Sequence, residues 1–121
     1  MKIERFEDID AWMEARRLVR IVYHNFIDVK DYGMKTQIER AAISVMANIA
    51  EGFQRASNRE FIQFLVISRG SVGEVKSISY AAMDLGYISS GIHTDIINKC
   101  EKLTSIINGF IRYLKHSSRK N

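Results

Sequence analysis

The chain contains no proline in 121 residues. Proline removes a backbone donor and breaks a helix interior, so its absence leaves room for long, uninterrupted helices. Cysteine is nearly as scarce. Cys100 stands alone, which rules out an intramolecular disulfide and suits a reducing compartment. Long apolar runs are missing as well. Residues 41–50 form a charge-free stretch of ten, whereas a membrane span needs about twenty. The N-terminal run Met1-Lys2-Ile3-Glu4-Arg5-Phe6-Glu7-Asp8 is highly charged and lacks the apolar core of a signal peptide. These absences predict a cytoplasmic protein with no membrane partner.

What is present is a globular balance: 46% apolar and 26% charged residues. The length suits one domain, residues 1–121, able to bury its own core without disulfides or metals. The net charge of +4 is unevenly placed. Residues 1–90 hold 12 basic and 12 acidic side chains. Residues 91–121 hold six basic (Lys99, Lys102, Arg112, Lys115, Arg119, Lys120) and two acidic (Asp95, Glu101). The excess therefore lies in the last quarter, mostly in its last ten residues.

Apolar periodicity and punctuation predict an all-α fold of four helices. Ile9, Trp12, Ala15, Val19, Val22 and Phe26 step by three and four and mark one face of a helix over residues 8–29. Tyr32-Gly33 supplies the next break. A second helix follows over residues 34–54, with Met34, Ile38, Ala41, Val45 and Ile49 as its inner stripe. Its other faces are small and uncharged (Ala42, Ser44, Ala47, Ala50), the pattern of a central helix touched on more than one side. Ser57-Asn58-Arg59-Glu60 reads as a capping box, the Ser57 hydroxyl accepting from the Glu60 N–H and the Glu60 carboxylate reaching back to the Ser57 N–H. It opens a third helix over residues 58–85, with Phe61, Leu65, Ser68, Val72, Val75, Ser79 and Ala82 inward and Gly86 closing it at φ > 0. Ser89-Ser90-Gly91 starts a fourth, residues 90–115, with Ile96, Cys100, Leu103, Ile107, Phe110 and Leu114 inward. A basic C-terminal tail, residues 116–121, follows it. Short links make neighbours antiparallel, hence an up-down-up-down four-helix bundle.

The residues offer no catalytic centre. His24, His93 and His116 are far apart, and there is no His-Glu-x-x-His, Cys-x-x-Cys or inward Glu-x-x-His pair, so neither metal nor cofactor is expected. Arg69-Gly70-Ser71-Val72-Gly73 matches neither a nucleophile elbow nor a phosphate-binding loop and falls inside a helix. Gly70 and Gly73, with Ser77 and Ala81 beyond, form a narrow strip that admits a close neighbour, from the same chain or another subunit. Cys100 lies on the apolar stripe without a base nearby, as a core residue does.

Two features carry the functional reading. Arg40, Ser44, Asn48, Glu51 and Arg55 step by four, four, three and four along helix two. This polar stripe is either a structural network, with Glu51 paired to Arg55 and Asn48 bridging within the helix, or a ligand or partner site. Basic residues form two groups: Arg16, Arg17 and Arg20 on helix one, partly offset by Asp10 and Glu14, and Arg112, Lys115, Arg119 and Lys120 at the C-terminus. These are the candidate nucleic-acid contacts.

The run Tyr32-Gly33-Met34, Gln37-Ile38, Arg40-Ala41-Ala42, Ser44 and Ala47-Asn48-Ile49-Ala50-Glu51-Gly52 resembles the signature of a bacterial four-helix-bundle family encoded in intervening sequences of 23S ribosomal RNA genes. Phe6-Glu7-Asp8, Trp12, Ala15, Ser57, Phe61, Phe64-Leu65, Gly70-Ser71, Glu74 and Leu85-Gly86-Tyr87 extend the similarity over about residues 6–114. The family usually has a proline at Met46 and another before Tyr32, and a basic residue at Glu39. Their absence predicts a straighter helix two and weakens any basic surface on it. The resemblance implies a four-helix fold and a ring-like homopentamer, and brings no demonstrated activity. A related protein, the accessory variability determinant of diversity-generating retroelements, is a basic pentamer that binds nucleic acid and a reverse transcriptase. By similarity, a non-catalytic, oligomeric binder of RNA, DNA or ribonucleoprotein is expected here, the alternative being a protein–protein adaptor for a nucleic-acid enzyme.

Overall fold

The computed structural model describes residues 3–117. A short 3-10 helix, Phe6–Asp8, leads into α1 (Asp10–Asn25), α2 (Tyr32–Phe53), α3 (Asn58–Asp84) and α4 (Ser90–Lys115). The described residues contain no strand.

Three boundaries differ from the periodicity, both ends of α1 and the start of α2. α1 is shorter than residues 8–29 at both ends. Ile9 is extended at φ −80°, ψ 121°, so the chain turns before the helix begins. At the other end Phe26 leaves helical geometry, its N–H bonding to the Val22 carbonyl. Phe26 and Val29 are nevertheless buried. They plug the core from a turn, which is why the apolar period runs past the end of the helix. The expected break at Tyr32-Gly33 is instead the first turn of α2. Asp31 caps it, its carboxylate accepting from the Met34 N–H at 3.1 Å.

The other ends follow the residues. Ser57 Oγ accepts from the Glu60 N–H at 3.2 Å. The Glu60 carboxylate turns to the Ser57 hydroxyl, at 3.5 Å, and not to the Ser57 N–H. α3 closes in a Schellman arrangement: Gly86 at φ 77°, its N–H on the Met83 carbonyl and the Tyr87 N–H on the Ala82 carbonyl. Ser89 Oγ caps α4 by accepting from the Ile92 N–H at 3.1 Å.

Cross-helix bonds fix the directions. Asn58 at the start of α3 donates to the Leu114 carbonyl at the end of α4. Arg69 then meets Asn108, Lys76 meets Glu101 and Ser79 meets His93, a descending register that only antiparallel helices give. Between α2 and α3 the Ser68 hydroxyl donates to the Val45 carbonyl at 2.8 Å and Ser44 meets Ser71 at 2.9 Å. α1 packs on α2 and α4, while among the described residues the backbones of the diagonal pairs α1/α3 and α2/α4 do not approach each other closely. The result is an up-down-up-down bundle around one core. Phe26, Leu18, Ile38, Ile49, Phe61, Leu65, Ile96 and Leu103 are fully buried in it, and each such side chain contributes roughly 1.5–3 kcal/mol by leaving water. On α1 the buried stripe runs through Leu18, while Val19 and Trp12 stay half-buried. α2 runs unbroken past Met46.

Candidate functional site

α1 is amphipathic. Ala11, Ala15, Leu18 and Val22 enter the core, which leaves Met13, Arg16, Arg17, Arg20, Tyr23 and His24 on the outer side. Along the α1–α4 seam sits Glu14, only 8% exposed. Its carboxylate accepts from Arg17 Nη1 at 2.6 Å. Lys102 Nζ lies 3.2 Å away and Lys99 Nζ 3.9 Å, both reaching across from α4. Burial alone would raise the pKa of this carboxyl. The Lys102 hydrogen bond and the charges of Lys102, Arg17 and Lys99 outweigh it and hold the carboxyl below its ordinary value.

The candidate arginines of α1 therefore divide. Arg17 is tied to Glu14. Arg16 lies over the Trp12 ring, 5.9 Å from its centroid. Arg20 has no partner among the described residues. Asp10, expected to offset them, forms no ion pair with any of the three. The offset expected of Glu14 holds for Arg17, and the site residues missed from sequence are Lys99 and Lys102. A carboxylate on a core stripe with Arg at i+3 was the available signal, and the lysines at i,i+3 on α4 complete it.

The C-terminal group is elsewhere. Arg112 and Lys115 are exposed in the last turns of α4, where the helix dipole favours cations. They lie roughly 15 Å or more along the axis from Lys102, at 1.5 Å per residue. The structure does not join them to the α1 arginines. Arg119 and Lys120 lie outside the described residues.

The polar stripe of α2 is largely a structural network. Asn48 Nδ2 donates to the Ser44 carbonyl at 2.8 Å and to Ser44 Oγ at 2.9 Å, and Ser44 Oγ meets Ser71 of α3. Arg55 pairs with Glu51 at 3.5 Å and stacks on Phe64, 4.6 Å from its centroid. Arg40 stands apart. It lines a shallow groove of about 400 Å³ together with Thr36, Gln37, Ser44 and Glu74.

Gly70 and Gly73 lie on the outside of α3, and a Cβ at either would meet no atom within 4 Å. No described residue occupies the space they leave. Ile43 of α2 and Val66 and Ile67 of α3 are exposed as well.

Cys100 is buried, and burial pushes its thiol up to about 12, as expected of a core residue. His93 is buried too, its Nδ1 2.8 Å from Ser79 Oγ. No group of His, Cys, Asp and Glu that could hold a metal occurs among the described residues, and none of their helices is long and apolar enough to cross a membrane.

A family model described as 23S rRNA-intervening sequence protein matches residues 7–109. The fold is similar to the crystal structure of a protein of unknown function from the S23 ribosomal protein family of Bacteroides thetaiotaomicron. The two share 26% identity at a TM-score of 0.74, over 85% of this chain and 96% of that one. No curated protein matches the chain.

Proposed function

The chain belongs to the 23S rRNA-intervening sequence protein family, and on that premise we propose that it is a non-catalytic, oligomeric protein that binds nucleic acid, as RNA or ribonucleoprotein, through a cationic face. One observation carries this reading. Arg17 of α1 and Lys99 and Lys102 of α4 gather around Glu14 at the α1–α4 seam, Arg16 and Arg20 stand exposed on the outer side of α1, and Glu14 is the one carboxylate paired with any of these five among the described residues. Exposed Met13 and Tyr23 lie among the arginines. Phosphate contacts need such cations and carry no sequence information of their own.

Self-association supports the same reading. The open flank of Gly70 and Gly73, with exposed Val66 and Ile67 one turn before Gly70 on α3, fits a second copy of the chain. In the homopentamer that the family resemblance implies, five chains of +4 carry about +20, which draws a polyanion over a Debye length. The same aliphatic flank favours the second reading, an adaptor that holds a protein partner, with charge serving solubility.

Anisotropy of a labelled, structured RNA tests the choice, with nuclease-treated protein at low and moderate salt. Binding that weakens with salt and falls when Arg16, Arg17 and Arg20 are changed to Gln supports the nucleic-acid reading. Absence of binding at low salt removes it and leaves the adaptor.

A further inference from the structure

We propose that Glu14 is the positioning residue of a phosphate grip formed by Arg17, Lys99 and Lys102, and that this grip holds the backbone of the bound nucleic acid. The proposal rests on the nucleic-acid reading above.

Neutralising one carboxylate takes one cation, and Glu14 has three within 3.9 Å. The cluster therefore keeps a formal excess of two positive charges at one point. A bridge serving only to join α1 to α4 would need a single lysine.

The geometry leaves the donors usable. The Glu14 side chain is 10% exposed, but those of Arg17 and Lys102 are 49% and 57% exposed. An ammonium carries three N–H donors and a guanidinium five. Arg17 and Lys102 spend a donor each inward on Glu14, Lys99 at 3.9 Å spends none, and the remaining donors are left for another acceptor. A phosphate oxygen set is the natural acceptor for such a fork and two point charges.

Space lies beside the cluster. A cleft of about 410 Å³ opens between α1 and α4, lined by Lys99 and Lys102 with Asn25, Asn98 and Asp95. Asp95 stands one helical turn before Lys99 and forms no ion pair with it. Its charge repels an anion from that end, which leaves the Lys102 end of the cleft, the one beside Glu14, for the phosphate.

Glu14 does what the cations cannot do alone. Long basic side chains on a surface sample many rotamers, and binding must freeze them. A buried carboxylate that already holds Arg17 and Lys102 and draws Lys99 toward them lowers that cost before the ligand arrives.

Glu14→Gln gives a test whose sign separates positioning from bulk charge. The substitution raises the net charge by one, so a surface acting only through its summed charge binds RNA more tightly. A positioning carboxylate predicts the reverse: the Kd for a structured RNA hairpin rises about 3–10-fold at fixed salt, the loss expected when preorganisation is removed. Equal or tighter binding overturns the proposal. Should Glu14→Gln fail to fold, Lys102→Gln is compared with Lys115→Gln, each of which removes one exposed charge. The grip predicts the larger loss of affinity at Lys102, and equal losses contradict it. If the native chain binds no RNA, the nucleic-acid reading falls and inorganic pyrophosphate decides the grip. A rise in melting temperature that Lys102→Gln abolishes supports a site for free phosphate groups, and no rise overturns the grip itself.

Discussion

Gly52 has no room for a side chain against Phe61: a Cβ on the glycine would stand 2.7 Å from Phe61 Cδ1 and 2.9 Å from Phe64 Cβ. The approach occurs where α2 hands over to α3, and it lets the two backbones meet closely enough for Ser68 to reach the Val45 carbonyl. Phe61 is fully buried and stacks edge-on with Phe53 and Phe110, so the ring cannot yield without disturbing the core. Gly52→Ala is expected to destabilise the fold by about 1–3 kcal/mol, the usual cost of overpacking. A chemical denaturation midpoint, with unchanged slope, checks it.

Gly70 and Gly73 make the opposite prediction, because no described atom lies near the position of their missing side chains. Gly73→Ala removes a helix-interior glycine and would stabilise an isolated bundle by ~1 kcal/mol. If the strip faces a second copy, a large charged residue breaks the assembly. Gly73→Arg is expected to retain full helicity by circular dichroism and to sediment as a smaller species than the native protein. An unchanged sedimentation coefficient would put the subunit interface elsewhere.

These two glycine sites show what is legible in the sequence. The helix count, the α3 and α4 spans, the Gly86 cap and the Glu51–Arg55 pair follow from local rules of spacing and capping. The ends of α1 do not, because Phe26 and Val29 continue the apolar period while the backbone has already turned. The role of Gly70 and Gly73 needs the three-dimensional neighbours, since a strip of small residues reads alike inside a core and on an open flank. The cationic cluster is half legible. Arg17 is visible on α1, but Lys99 and Lys102 stand more than 80 residues away in sequence, and only the antiparallel α1–α4 register brings them to Glu14.

Glu14 also sets a pH dependence. Its folded pKa is depressed below the ordinary 4.5, so the folded state binds this proton more weakly than the unfolded chain does. The resulting stability is fully present above that ordinary value and is lost as pH falls through the folded value. Melting temperatures of the native protein and of Glu14→Gln are expected to converge as pH drops below 4.5. A difference that persists unchanged into strong acid would contradict this role.

Cys100 is expected to resist thiol reagents. Its thiol is buried and pushed up to about 12, so almost no thiolate exists at about pH 8. Reaction with a chromogenic disulfide should be slow in buffer and complete in denaturant. Fast labelling of the native protein would mean that α4 opens locally around this residue.

A bundle that meets a polyanion through cations on its α1–α4 side must bind more weakly as salt rises. The direct test is the salt dependence of RNA affinity, measured by anisotropy for the native protein and for the triple variant with Arg17, Lys99 and Lys102 changed to Gln. The expected result is a linear fall of log affinity with log salt, and a slope shallower by roughly one for each phosphate that the variant no longer neutralises. A native affinity that ignores salt, or a variant slope equal to the native one, would contradict the cationic face.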